Sequence, residues 1–484
     1  MSRSSPPPGP SASEQGVSEQ GLSERGVSEQ GVPEPFVVAD RSLDPATGEA
    51  AFTYRLAGDE FTERLTLDPA LLPGADPARL DAALDLVHLV MGTSYYKLRA
   101  PGRVVVRRPV TKAQAAVAEA AYTHGLGEFA AVNRLPVPHE VAFDVEVRDD
   151  VPAPAGGGGR GALLPVGGGK DSALALVVVS PATALAVNPT GAQRDVARAA
   201  GVPLLGVRRR LDPLLAERTA AGGLNGHVPV TAINSGLATL VAVLGGFDPV
   251  VFANERSADE ETLTVNGARV NHQYSKSHEF ERLFAAAAAE VGVGYFSLTR
   301  QLSELATVAA VAALPDLRGQ ILSCNRSYTQ AHLGFRDGGF GDGGFGDGGQ
   351  APQRWCLHCD KCLFTFLCFA VFLTPDEAVG VFGGDPLRDL ALVDGFRRLW
   401  ATEKPFDCVG ERAESAAAMA HLAGSAAWGE HAVVRALGEE ATSFARVSGA
   451  TVEGLLEPRG EHSVPPAYLA ALQRVLAEAR PPVR

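Results

Sequence analysis

Lysine is nearly missing from this chain: only six of its 43 basic residues are lysines, at positions 97, 112, 170, 276, 361 and 404. Basic charge as a whole is also short, with a formal net charge of −13. That balance leaves no basic face for a nucleic-acid backbone, although a local basic cleft remains open. Long apolar runs are absent too. The longest uncharged stretches, such as Val228 to Phe247, contain Pro, Asn and Gly-Gly and read as buried core, so no membrane partner is expected. A basic stretch followed by an apolar run is missing from the N-terminus, which argues against a secretory leader and for a reducing, cytoplasmic setting. There the six cysteines are expected to serve metal binding rather than disulfides.

What is present is a chain of 484 residues, 46% hydrophobic and 20% charged, enough for about three domains with packed cores. Residues 1–35 are a polar tail repeating Ser-Glu-(Gln/Arg)-Gly-(Val/Leu) from Ser13, which cannot bury enough apolar surface to order itself. Residues 36–150 form an α+β region, with strand-like Phe52 to Leu56 and Val104 to Val106 and helical Leu80 to Leu89 and Ala115 to Tyr122. A Gly/Pro-rich join at 151–161 precedes a new domain over 162–334.

In that domain, strands are expected at Leu163 to Val166, Thr183 to Val187, Pro203 to Val207, Pro249 to Ala253, Gly294 to Leu298 and Gln320 to Ser323. They alternate with helical patterns at Gln193 to Ala200, Ile233 to Leu244, Ser277 to Val291 and Leu302 to Ala313. The alternation predicts an α/β fold with a parallel sheet core, whose ligands sit at the carboxyl ends of the strands. Ala173 to Val179 reads as a short helix. Residues 335–350 are an insert of Phe-x-Asp-Gly-Gly repeats, a surface loop, and 351–484 combine a cysteine cluster with a helical, Ala-rich C-terminal region.

Three segments carry chemistry. The first is Leu163-Leu-Pro-Val-Gly167-Gly168-Gly169-Lys170-Asp171-Ser172, a strand running through a Gly-rich turn into a helix. Glycines let backbone amides approach a polyphosphate, the helix start adds positive potential, and Lys170 and Ser172 supply donors. Asn188, where the next strand ends, is placed to contact ribose or base. The second is polar: Asn254-Glu255-Arg256-Ser257, then Asn271-His272-Gln273-Tyr274-Ser275-Lys276-Ser277-His278-Glu279. Ser277 is a natural N-cap, and the rest is more than capping needs, which suggests a substrate and catalytic loop facing the nucleotide. The third is Cys356-x-x-Cys359-x-x-Cys362, which Cys324 can complete to four thiolates. Structural zinc is the preferred occupant, an iron–sulfur cluster and metal-free thiols the alternatives. Three of the six lysines, 170, 276 and 361, fall inside these segments, where a compact ammonium differs in use from a guanidinium.

The Gly-rich segment resembles the PP-loop of ATP pyrophosphatases, S-G-G-x-D-S, with Gly167 in place of the first serine. Taken with Asn254-Glu-Arg-Ser257, Asn271 to Phe280, Trp355 to Cys362 and Phe406-Asp-Cys-Val-Gly410, the chain resembles the UDP-N-acetylmuramoyl-L-alanyl-L-glutamate epimerases of peptidoglycan synthesis over residues 36–480. The resemblance implies an ATP- and magnesium-dependent isomerase acting on a small-molecule UDP-muramoyl dipeptide, with AMP and diphosphate released. By the same resemblance Lys170, Ser172 and the glycines hold the triphosphate and Asp171 acts on magnesium directly or through water. Arg256 or Lys276 then grips anionic groups of the substrate, and Asn254, Glu255, Ser257, Asn271, His272 and Gln273 complete its binding. The proton-transfer residue stays open among His278, His272, Tyr274 and Glu279. A nucleobase-modifying ligase similar to 7-cyano-7-deazaguanine synthase is the competing enzyme reading, and a zinc-stabilised ATP-binding regulator the non-catalytic one.

Overall fold

A computed structural model describes residues 34–72, 74–149, 159–324, 354–401 and 409–483. The N-terminal repeat tail through residue 33, the Phe-x-Asp-Gly-Gly insert and most of the Gly/Pro join therefore lie outside the described residues.

Fourteen strands are described: β1 Phe36–Asp44, β2 Glu49–Leu56, β3 Asp59–Thr66, β4 Arg103–Val106, β5 Val110–Thr111, β6 Ala142–Asp144, β7 Val147–Arg148, β8 Ala162–Pro165, β9 Ala182–Val187, β10 Leu204–Arg210, β11 Val250–Phe252, β12 Leu263–Val265, β13 Ala268–Val270 and β14 Tyr295–Ser297. Ten of them make one sheet in the order β14-β11-β8-β9-β10-β3-β2-β1-β4-β6, and β12 with β13 and β5 with β7 make two small ladders. The strands of residues 36–150 thus continue the same sheet as those of the α/β region, joined where β10 pairs antiparallel with β3. β1, β2 and β3 form an antiparallel meander, and the β2–β3 turn uses Ala57 and Gly58, both at positive φ, as a right-twisted two-residue hairpin requires.

From β14 to β10 every pairing is parallel. Of these, β8, β9, β11 and β14 are nearly continuous apolar runs because both of their faces are covered, whereas β10, next to β3, ends in three arginines. Their alternation divides the interior in two: Leu164, Ala184, Ala186 and Val251 join one core, whereas Leu163, Leu185, Val250 and Phe252 join the other. The first core holds helices Lys170–Val178, Glu304–Ala312 and Asp360–Ala370 with the C-terminal helices; the second holds Pro77–Met91, Val230–Gly245 and His278–Glu290. Gly236 lets two of these helices meet closely, since a Cβ there would stand 3.1 Å from Val90 Cγ2.

Gln320 to Ser323 is not a strand. The sheet ends at β14, and this segment instead crosses the Gly-rich loop, where Leu322 N–H donates to the Gly168 carbonyl at 2.8 Å. Ala173 to Val179 is helical up to Val178, as expected, and the C-terminal region is helical throughout its regular elements. Chain order runs outward from β8 through β9 to β10, then returns to the other side of β8 for β11 and β14. The order therefore reverses between β8 and β11, the place where open parallel sheets leave a crevice.

Glu63 points inward from β3 and is fully buried, where its carboxylate takes the Arg209 Nε of β10 while Arg209 also donates to Ser94 Oγ at 2.9 Å. Removing one partner of such a pair leaves the other charge unpaired in the interior. Glu63→Ala is expected to lower stability by about 3–5 kcal/mol, read from chemical denaturation midpoints, and a loss below about 1 kcal/mol would show that the junction does not depend on this pair.

Candidate functional site

A cleft of about 630 Å³ opens at the carboxyl ends of β8, β9, β10 and β11. Val166, Gly167, Gly169, Asp171 and Ser172 form its floor beside β8; Asn188, Arg209, Asn254 and Glu255 rim it from the neighbouring strands; Lys276, Ser323 and Lys361 enter from later segments. Gly168 adopts φ +84°, which turns the chain from strand to helix, while a Cβ at Gly167 would meet nothing within 4 Å. Gly167 thus stands where a serine side chain also fits.

Lys170 begins the helix and folds under the loop, 2% exposed. Its Nζ lies 2.5 Å from Asp171 Oδ1 and contacts Glu304 Oε2. Glu304 is wholly buried and receives Ser257 Oγ at 3.2 Å. Burial works against ionisation of Glu304, but Lys170 and then Lys361 outweigh it and hold this carboxyl below its usual range. For Glu255, burial comes first, and Asp171 and Glu304 add to it, so its pKa rises to about 7. The ammonium of Lys170 is held charged by Asp171, Glu304 and Glu255 against its own burial. One carboxylate oxygen each from Asp171, Glu255 and Glu304 lie within 4.8 Å of one another. Oxygen donors so gathered beside a polyphosphate loop suit a hard divalent cation.

The polar segment is divided by the fold. Lys276 reaches the cleft, with Nζ 3.3 Å from Gln273 Oε1. Asn254 lines the cleft while its backbone exchanges hydrogen bonds with Ser297 Oγ at 2.5 and 2.9 Å. The Arg256 guanidinium turns to Glu411 at 2.8 Å, in the C-terminal region. Asn271 Nδ2 donates to the Ala258 carbonyl and Asn271 Oδ1 accepts from Gln273 N, which shapes the loop. Tyr274 donates to Glu279 Oε1 at 3.0 Å, and burial with that carboxylate pushes the phenol up from its usual range, so it stays protonated. Ser277 caps its helix as expected, accepting from Phe280 N. His278 faces Ser463, 3.3 Å from its Oγ, and lies outside the cleft lining, as do Tyr274 and Glu279. His272 is buried beside Glu128. Asn188 rims the cleft at φ +49°, but its amide is engaged at both ends by the backbone of Arg209, so it braces β10.

The four cysteines converge. Sγ atoms of Cys324, Cys356, Cys359 and Cys362 all lie within 4.8 Å of one another, with Cys356 and Cys362 3.7 Å apart. Leu357 at φ +57° makes the turn, and Cys359 begins the helix Asp360–Ala370. A hydrogen bond with Cys324, ahead of burial, raises the Cys359 thiol to about 11, and four sulfurs gathered so closely have the donor set of a tetrahedral thiolate metal site. The cluster also sets the cleft: Ser323 and Lys361, its chain neighbours, both line it.

Sequence reasoning missed Glu304. Its signal was present, a single acid heading the otherwise uncharged helix ELATVAAVA. Arg209, Ser323 and Asn234 carried no such mark. The scarcity of lysine did point correctly, because Lys276 and Lys361 line the cleft and Lys170 lies beneath it.

This architecture defines an α/β protein with a Gly-rich loop, a buried lysine–carboxylate cluster and a polar cleft at the switch point of its parallel strands. The model of the MurL N-terminal domain matches residues 28–298, and that of the MurL C-terminal domain matches residues 320–452. A UDP-N-acetyl-alpha-D-muramoyl-L-alanyl-L-glutamate epimerase of Micromonospora sp. is 40% identical over 457 residues, covering 91% of this chain and 98% of the relative. Proteins of the same name from Salinispora tropica, 38% identical (92% and 97% covered), and Xanthomonas oryzae pv. oryzae, 36% identical (88% and 94% covered), match similarly. The chain belongs to the UDP-N-acetyl-alpha-D-muramoyl-L-alanyl-L-glutamate epimerase family. No solved structure matches it significantly.

Gly410, in the Phe406-to-Gly410 motif, lies against this cluster: a Cβ there would stand 2.5 Å from Glu414 Oε2 and from Phe364 Cζ, and 2.8 Å from Glu304 Cγ. Gly410→Ala is expected to cost about 1–3 kcal/mol of stability through overpacking, checked by thermal unfolding against wild type; an unchanged midpoint would contradict this packing.

Proposed function

We propose that this chain is an ATP-consuming isomerase that inverts the terminal L-glutamate of UDP-N-acetylmuramoyl-L-alanyl-L-glutamate, releasing AMP and diphosphate. The observation that carries the reading is family membership over nearly the whole length, and the cleft supplies the chemistry it needs.

The α-proton of a glutamate with a free carboxylate is weakly acidic, because its carbanion would sit beside a negative charge. Transfer of AMP to that carboxylate makes a mixed anhydride, removes the charge and gives the electron pair a carbonyl to enter. The α-carbon then loses its proton, takes one back on the opposite face, and water opens the anhydride. ATP cleavage drives an otherwise near-isoenergetic inversion.

In this reading the loop Gly167 to Ser172 acts as a PP-loop. Backbone groups of the glycines and the Ser172 hydroxyl cradle the phosphates, and Lys170 holds the loop and its carboxylates in register from below. Asp171, Glu255 and Glu304 would hold magnesium, which would neutralise charge on the phosphates. Lys276 and Lys361, both in the cleft, supply cationic groups for the substrate's phosphates and carboxylates. The cysteines would hold a single zinc ion. Their mutual distances favour one ion, since tetrahedral Zn–S bonds of ~2.3 Å place sulfurs ~3.8 Å apart, and the zinc would fix Ser323 and Lys361 at the cleft edge.

Incubated with ATP, magnesium and UDP-MurNAc-L-Ala-L-Glu, the wild type is expected to form AMP together with product whose acid hydrolysate contains D-glutamate, resolved by chiral chromatography. AMP without D-glutamate would discard the inversion, and neither product would discard the reading. Lys170→Met should reduce AMP formation by at least about 100-fold, because Asp171, Glu304 and the loop lose the cation that positions them. Metal analysis of purified protein should find one zinc per chain, reduced to well under half in Cys362→Ser. A full complement in that variant would remove the zinc assignment.

A further inference from the structure

Beside the cleft, a second group of titratable side chains gathers around Glu128. Its Oε2 lies 3.8 Å from His227 Nδ1 and 3.9 Å from His272 Nδ1, and the two imidazoles stack with centroids 5.5 Å apart at 17°. Three distant parts of the chain meet there: the helix Gly127–Val132, the loop before the helix Val230–Gly245, and the segment after β13. Two imidazoles and a carboxylate gathered largely away from water cost desolvation that apolar side chains would avoid, so the arrangement calls for a use.

The loop bearing His227 is held in place. Asn133 Nδ2 donates to the Asn225 carbonyl at 2.9 Å, Lys97 Nζ donates to Asn225 Oδ1 at 2.6 Å, and Gly226 lies against Phe129. Neither histidine lines the cleft, but both are near its lining in sequence, His227 three positions before Val230 and His272 four before Lys276, and Lys276 of the cleft acts electrostatically on His227. His227 keeps 30% of its side chain exposed against 15% for Glu128 and 5% for His272, so it is the member that reaches outward. Burial, then Lys276 and Lys97, lower His227 to about 4, which leaves a neutral imidazole. Burial raises Glu128 to about 7, where it takes up and releases a proton readily.

We propose that this cluster provides one of the two proton-transfer groups of the inversion, with the His227 imidazole exchanging the α-proton and Glu128 and His272 positioning it. The assignment rests on the epimerase reading. In one direction the imidazole nitrogen takes the α-proton and the C–H electron pair moves into the activated carboxyl to form an enolate. A group on the opposite face then returns a proton to the α-carbon, the electron pair moves back, and His227 passes its proton by way of Glu128 to water. In the other direction His227 delivers the proton.

The test uses full-length protein with ATP, magnesium and UDP-MurNAc-L-Ala-L-Glu in D2O, reading AMP, inversion and α-deuterium separately. For His227→Asn, AMP formation is expected within about threefold of wild type while inversion falls at least about 100-fold. α-Deuterium without inversion would place His227 on the proton-returning face, and loss of both deuterium and inversion would place it on the abstracting face. Glu128→Gln should lower inversion at least about 10-fold with AMP retained, and Glu128→Asp should restore part of it, which a merely structural carboxylate would not do. Inversion within threefold of wild type in both His227→Asn and Glu128→Gln would overturn the assignment. So would loss of AMP along with inversion in folded variants, which would assign the cluster to binding. Should His227→Asn not fold, His227→Gln and Glu128→Gln carry the same comparison. A wild type that makes neither AMP nor D-glutamate would overturn the epimerase reading, and this assignment with it.

Discussion

The buried ammonium of Lys170 is the constraint on which the site depends. A lysine taken almost fully out of water stays charged only if anions surround it, and here Asp171 and Glu304 do so directly, with Glu255 nearby. Each anion comes from a different element: Asp171 from the helix after β8, Glu255 from the exit of β11, Glu304 from the first turn of a later helix. The ammonium therefore ties together the two strands between which the sheet order reverses and the helix that covers them. Excess negative charge in the cluster, felt most by Glu255, is what makes it receptive to further cations.

The same hub draws in the C-terminal region. Glu414 is buried against Glu304 and accepts from Leu305 N at 2.7 Å; burial and the nearby Glu304 raise it to about 8. Gly410 fits between them because it has no side chain. Lys361, which helps hold Glu304 ionised, lies in the first turn of the helix that starts at the cysteine cluster. The cysteines thus bear on the cleft indirectly, through the lysine and serine adjacent to them.

The N-terminal strands contribute from the opposite side. β3 extends the sheet, and its Glu63 positions Arg209, whose side chain reaches the cleft while its backbone anchors Asn188. Residues 36–150 are in this sense one wall of the site, and Glu128 extends that wall toward the polar segment. A composition shift such as the Gly/Pro join marks a change in chain character, but whether two regions share a sheet depends on strand pairing, which composition does not encode.

By itself the sequence determined the α/β core, the helix over Ala173 to Val178, the Ser277 cap and the four cysteines as a set. Each follows from local periodicity, capping chemistry or short-range spacing. The lysine count also singled out three residues at or under the cleft, because a chain that prefers arginine retains lysine where a compact ammonium is needed. Tertiary structure alone decided the rest. It laid Gln320 to Ser323 across the Gly-rich loop, where Leu322 N–H donates to the Gly168 carbonyl, instead of in the sheet. It turned Arg256 to Glu411 and Asn271 to its own loop, placed His278 outside the cleft, and brought Glu304 to Lys170, 134 positions away, and Glu128 to His227, 99 positions away. A side chain's use is set by which groups meet it across the fold, and contacts between residues so far apart leave no local pattern to read.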